Sequence, residues 1–98
     1  MVTMVNKLTV TGKIADFERV ADGLTEYMRE QPGYIRYSLL RSVRRDNVFV
    51  EIAEWKDADA HRRAIQSEGF RRRVEPLAAV ATVDPDLYEV VREGEAKG

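Results

Sequence analysis

The stretch from Asn47 to His61, NVFVEIAEWKDADAH, constrains the fold most, because it opens as a strand that is apolar on both faces. Alternation sends Phe49, Glu51, Ala53 and Trp55 to one side and Val48, Val50 and Ile52 to the other. Both sides need cover, so this strand cannot lie on a solvated surface. A helix follows at once. Asp57 is a good N-cap, and Asp59 falls in the first turn, where the helix dipole favours negative charge. With a start near Ala58, a 3.6-residue period puts Ala58, His61, Ala64 and Ile65 on one side and turns Arg62, Arg63 and Gln66 away. The only tryptophan and the only histidine of the chain can therefore converge with Glu51 under one helix.

The rest of the chain supplies the cover. Val2, Met4, Asn6, Leu8 and Val10 alternate with Thr3, Val5, Lys7, Thr9 and Thr11, which predicts a half-buried strand ended by Gly12. Asn6 lies on the more apolar face, where an amide either bonds backbone near the strand end or lines a pocket. From Asp16, expected as an N-cap, the period changes. Phe17, Val20, Ala21, Leu24, Tyr27 and Met28 mark one face of a helix that Gln31-Pro32-Gly33 stops. Tyr27 and Met28 suit either the core or a pocket wall. Tyr34 to Val43 predicts a second strand, with Ile35, Tyr37 and Leu39 on one face and Tyr34, Arg36, Ser38 and Leu40 on the other. The polar turn Arg44-Arg45-Asp46-Asn47 joins it to the next strand as a hairpin. Beyond His61, Ser67-Glu68 reads as a fresh cap, Phe70 and Val74 begin a short helical piece, and Pro76 ends it or opens a last turn. Asp84-Pro85-Asp86 is expected to turn and Leu87 to Val91 to form the fourth strand. Residues 1–91 are read as one domain and 92–98 as a polar tail.

The order strand, helix, strand, strand, helix, strand is the split βαβ pattern: an α+β, ferredoxin-like antiparallel sheet (βαββαβ) with both helices on one face. The other face, with Val48, Val50 and Ile52, is then bare. Its simplest cover is a second copy, sheet against sheet about a two-fold axis, which makes a homodimer.

Composition removes several functions. The net charge is -1 and the isoelectric point about 5.9, so no net field recommends nucleic acid or an anionic membrane as partner. No apolar run reaches membrane-spanning length, and the first ten residues alternate instead of forming a signal-peptide core. A soluble, cytoplasmic protein is expected. Absent cysteines exclude disulfides, and one histidine with one nearby carboxylate is too few ligands for a transition metal. Glu51 and Glu54 alternate to opposite faces and cannot act as a hydrolytic pair. Acid–base chemistry by His61, with Glu51, in an apolar cavity survives this elimination.

With W-x-D-x-x-x-H from Trp55 to His61 after its third strand, the chain resembles the antibiotic biosynthesis monooxygenase family of dimeric ferredoxin-like α+β barrels. The resemblance runs from about Met4 to Val91, through VNKLTV, QPGYIRYSLLRS, EIAEWKDADAH and SEGFRRRVEPL. It implies a cofactor-free enzyme that oxidises polyketide anthrones or naphthacenones to quinones with dioxygen. In such members a strand-three tryptophan works with an asparagine four residues earlier and a polar ring six residues later. Here those positions are Trp55, Glu51 and His61, so the asparagine is replaced. The superfamily also holds haem-degrading enzymes, similar at Asn6-Lys7-Leu8-Thr9, but their histidine ligand falls at Val74 here, which argues against haem turnover. The expected roles are His61 as base, Trp55 as stacking wall and hydrogen-bond donor, Glu51 as orienter of His61 or second base, and Asn6 as donor to an oxyanion. Phe49, Tyr27, Met28 and Phe70 are expected around a small aromatic substrate, with no metal or other cofactor. A cyclase or isomerase of the same fold and a non-catalytic small-molecule-binding dimer are the alternatives.

Overall fold

A computed structural model describes all 98 residues. It contains β1 (Val2–Val10), α1 (Ile14–Arg29), β2 (Tyr34–Arg41), β3 (Val48–Trp55), α2 (Ala58–Ile65), α3 (Glu68–Ala78) and β4 (Ala81–Tyr88). The strands form one antiparallel sheet in the order β2-β3-β1-β4, so the doubly apolar β3 is central, as its composition requires. All three helices cover one face. The result is a slab 18 Å thick in its shortest dimension, one sheet and one helical layer, which is the expected ferredoxin-like arrangement.

Local boundaries correct the sequence reading at four places. α1 starts at Ile14 behind Lys13, so Asp16 is not its cap; it sits in the first turn and pairs with Arg19 at 3.2 Å. In β2 the register shifts between Tyr34 and Arg36: Tyr34 opposes Trp55, yet Arg36 opposes Glu54 and Tyr37 opposes Ala53. This bulge at Ile35 breaks strict alternation and brings Tyr34 to the helix-covered face beside Tyr37 and Leu39, where the uninterrupted pattern had put it on the other side. The fourth strand is Ala81–Tyr88, not Leu87–Val91, and Asp84-Pro85-Asp86 lies within it. A proline is tolerated there because β4 is an edge strand with one free side. On α2 it is Ala60 and Ala64 that are buried, while Ala58 is exposed.

Two caps behave as read. The Asp57 carboxylate accepts from the Ala60 N–H at 2.8 Å, and the Ser67 hydroxyl accepts from the Phe70 N–H at 3.2 Å. Gly33 has φ +90°, and a Cβ there would lie 2.5 Å from the Cβ of Ala60, so only glycine lets the chain enter β2 this close beneath α2. The interior divides into two clusters. Leu8, Val10, Phe17, Phe49, Leu77 and Ala81 form one, with the Phe17 and Phe49 rings 4.8 Å apart. Met28, Ala53, Trp55, Ala60 and Ala64 form the other.

Candidate active site

Cross-strand pairs share a face, so the register lays out the floor of the helix-covered side in rows. Tyr34, Trp55 and Val2 make one row; Tyr37, Ala53, Met4 and Leu87 the next; Leu39, Glu51, Asn6 and Pro85 the third. Above them, between α1, α2 and α3, lies a cavity of about 170 Å³ with mostly apolar walls. Its polar or aromatic lining comes from Asn6, Thr25, Tyr34, Glu51, Trp55, His61 and Phe70. No three His, Asp or Glu side chains converge there or elsewhere.

Trp55 is 1% exposed and held edge-on between two rings, Tyr34 at 4.9 Å and His61 at 5.4 Å between centroids, both near perpendicular. Its indole N–H has no acceptor within the chain, although every fully enclosed side-chain polar atom has a partner. That N–H therefore borders the cavity. The half-buried imidazole of His61 likewise has no side-chain or backbone partner, and burial lowers its pKa from 6.5. It is a neutral ring with a free nitrogen. Asn6 is 9% exposed and lines the cavity; its Oδ1 accepts from the Asp84 N–H at 3.0 Å, and its Nδ2 has no partner within the chain. The amide thus does both jobs open to it: it ties down β4 beside Pro85 and lines the pocket.

Glu51 stands directly across from Asn6. Burial raises its pKa, and its one partner is the Thr25 hydroxyl, which donates to Oε2 at 3.2 Å. No hydrogen bond joins Glu51 to His61, so the orienting role expected for it has no contact to act through. Burial, then the nearby Glu51 carboxyl, pushes the Tyr34 phenol far above its usual range, so Tyr34 keeps its proton.

A family profile described as antibiotic biosynthesis monooxygenase matches residues 1–76. The chain belongs to the antibiotic biosynthesis monooxygenase family. Among its relatives, deoxynogalonate monooxygenase of Streptomyces nogalater is 41% identical over 87 residues, 89% of this chain and 74% of that one. The crystal structure of SnoaB, a cofactor-independent oxygenase from Streptomyces nogalater, superposes with a TM-score of 0.91 at 39% identity, covering 94% of each chain. A conserved protein from Methanosarcina mazei shares the fold at a TM-score of 0.81 and 21% identity, over 89% of each chain.

Within this family member, the structure brings Asn6, Glu51, Trp55, His61, Met28 and Phe70 around one cavity. It leaves out two residues expected there. Phe49 packs in the closed cluster against Phe17, under the Arg41 guanidinium 5.2 Å from its ring. Tyr27 clamps α1 to α3 instead: its hydroxyl lies 2.7 Å from the Ser67 Oγ, Arg73 lies 4.4 Å over its ring, and the ring fills the space a Cβ on Gly69 would need. Missed in turn were Thr25, Tyr34, Val83 and Pro85. Thr25 precedes Met28 by three residues and so shares its face, a signal present in the sequence. Ala81, Val83, Pro85 and Leu87 alternate correctly, but Asp-Pro-Asp concealed them as a turn. Tyr34 had no such signal, since a bulge cannot be seen in a pattern of period two.

Proposed function

We propose that the protein is a cofactor-independent monooxygenase that oxidises an anthrone- or polyphenol-type polyketide ring to a quinone with dioxygen. One observation carries this reading: in a chain 39–41% identical to SnoaB and deoxynogalonate monooxygenase, His61, Trp55 and Asn6 all present unpartnered polar atoms to one mostly apolar cavity. The apolar walls, Met28 and Phe70 among them, take the rings. His61 removes a proton from the activated ring carbon, and its low basicity suits release of that proton afterwards. The resulting carbanion passes electrons to dioxygen and forms the C–O bond. Asn6 Nδ2 and the Trp55 N–H are placed to donate to the oxyanions that develop. Loss of water from the hydroperoxide leaves the carbonyl, so one CH₂ and one O₂ become one C=O and one H₂O.

Oxygen uptake with anthrone itself is the test. One O₂ consumed per quinone formed, with rates unaffected by chelator, is the expected result. Product formed at the same rate under nitrogen would assign a cyclase or isomerase, and binding without turnover a carrier; either overturns the reading.

We also propose that the enzyme works as a homodimer through the uncovered sheet face. That face has Val50 and Ile52 half-buried beside Val5 and the exposed Leu40, while Val48 is already 6% exposed within the single chain. Val50→Asp should convert a dimer to a monomer or an unfolded chain in sedimentation, because an unpaired carboxylate would be buried. A wild type that sediments as a monomer at micromolar concentration removes the proposal.

A further inference from the structure

On the other side of Glu51 from the cavity lies a wider groove of about 550 Å³ between α1 and β2. Asn6, Leu24, Thr25, Glu51 and Leu77 form the partition, and Glu51 is the single titratable group that lines both spaces. We infer that Glu51 is the acid of this site: its carboxyl hands a proton to the reduced dioxygen in the cavity and recovers one from the groove. The inference deepens the monooxygenase reading and rests on it.

The surroundings favour a neutral carboxyl. Glu51 forms no ion pair, and its one hydrogen-bond partner is the neutral Thr25 hydroxyl. From α1, Glu18, Arg19 and Asp22 line the groove, and the one cation among them is held by Asp16 at 3.2 Å. β2 contributes the phenols of Tyr34, to the cavity, and Tyr37, to the groove; α2 contributes His61. α3 and β4 present no titratable group, only residues such as Phe70, Leu77, Val83 and Pro85. With burial and no cation to offset it, the carboxyl holds its proton above the ordinary glutamate value of 4.5. The same burial keeps His61 deprotonated, so base and acid stand ready in one cavity without a hydrogen bond that would pass the proton between them.

The proton count closes. His61 takes the first ring proton, and the carbanion carbon forms a bond to one oxygen of O₂, giving a peroxide anion. The Glu51 O–H bond breaks and its proton moves to the terminal oxygen. The hydroperoxide then loses water: the O–O bond breaks, the second ring C–H bond supplies the carbonyl electrons, and its proton leaves with the hydroxide. One extra proton remains on His61 and one is missing from Glu51. The groove resupplies the second while His61 sheds the first.

Glu51→Gln preserves size and the Thr25 contact but carries no transferable proton. With anthrone and air, kcat should fall by about 10²-fold and KM should stay within about threefold, and the alkaline limb of the wild-type kcat profile should disappear. A second measurement needs no substrate. A carboxyl whose folded pKa is raised stabilises the fold below the unfolded value and loses that contribution as pH rises through the folded value. The urea midpoint of the wild type should therefore drop relative to Glu51→Gln as pH rises from about 4 to about 8. A difference that does not change with pH overturns the neutral carboxyl directly. A wild type active on anthrone with a Gln variant of equal kcat overturns the acid role alone. A wild type that consumes no oxygen overturns the monooxygenase reading and the proton transfer with it.

Discussion

The two clusters beneath the helices share one sheet and one helical layer, but they are filled differently. The cluster around Phe17 and Phe49 uses two tilted rings, 4.8 Å apart between centroids, with Leu8, Val10 and Leu77. The cluster around Trp55 uses one large ring and three alanines, Ala53, Ala60 and Ala64. The cavity lies on this side, with Ala53 and Trp55 of β3 among its lining residues. Polar atoms without partners are found at this open end; the end around Phe17 and Phe49 is the more tightly filled, and it borders the groove only through apolar Leu8, Phe17 and Leu77. One half of the layer provides stability and the other gives some up for a binding site.

The largest effect should come from breaking the closed end. Phe17 is fully buried, and Phe17→Ala should lose about 3–5 kcal/mol, read as a shift in urea unfolding, with kcat per folded molecule nearly unchanged. A parallel fall in kcat would show that the two ends are not separable. Next is His61→Gln, which should lower kcat by about 10² and barely move the urea midpoint, since the imidazole has no bond to lose. In the wild type, kcat/KM should fall as acid protonates His61, with a midpoint below 6.5, and the variant should lack this limb. If stability falls and kcat does not, His61 is packing. Filling the open end with Ala53→Leu should raise KM by about tenfold while leaving the fold intact, as the added methyl groups enter the cavity floor. Unchanged KM would place the substrate elsewhere. The smallest effect is expected for Tyr27→Phe, about 1 kcal/mol from the lost Ser67 contact, with kcat and KM both retained.

Much of the layering is legible in the sequence, although the contrast between the two clusters is not. The periods of β1, α1 and β3 predict the layers correctly, because burial on one face is what period encodes. Asn6, Glu51, Trp55 and His61 fall at one cavity for the same reason. What the pattern could not carry was register. The bulge at Ile35 moves Tyr34 across the sheet, and Pro85 inside β4 mimics the chemistry of a turn. Nor could it tell which buried aromatic faces empty space. Phe49 and Trp55 alternate identically on β3, and their neighbours decide: Phe17 and the Arg41 guanidinium cover Phe49, whereas Trp55 lines the cavity beside Tyr34 and His61.

The edges of the sheet carry a consequence of their own. A chain with four strands this rich in valine, leucine and isoleucine invites growth by strand addition, the route to fibres. At β4 an incoming strand would meet Pro85, which has no N–H to offer, and at β2 it would meet the bulge at Ile35, which interrupts the regular ladder of donors and acceptors. Lateral polymerisation is discouraged at both ends. That leaves the flat of the sheet as the face for the homodimer proposed above, an association that closes on itself where strand addition would continue.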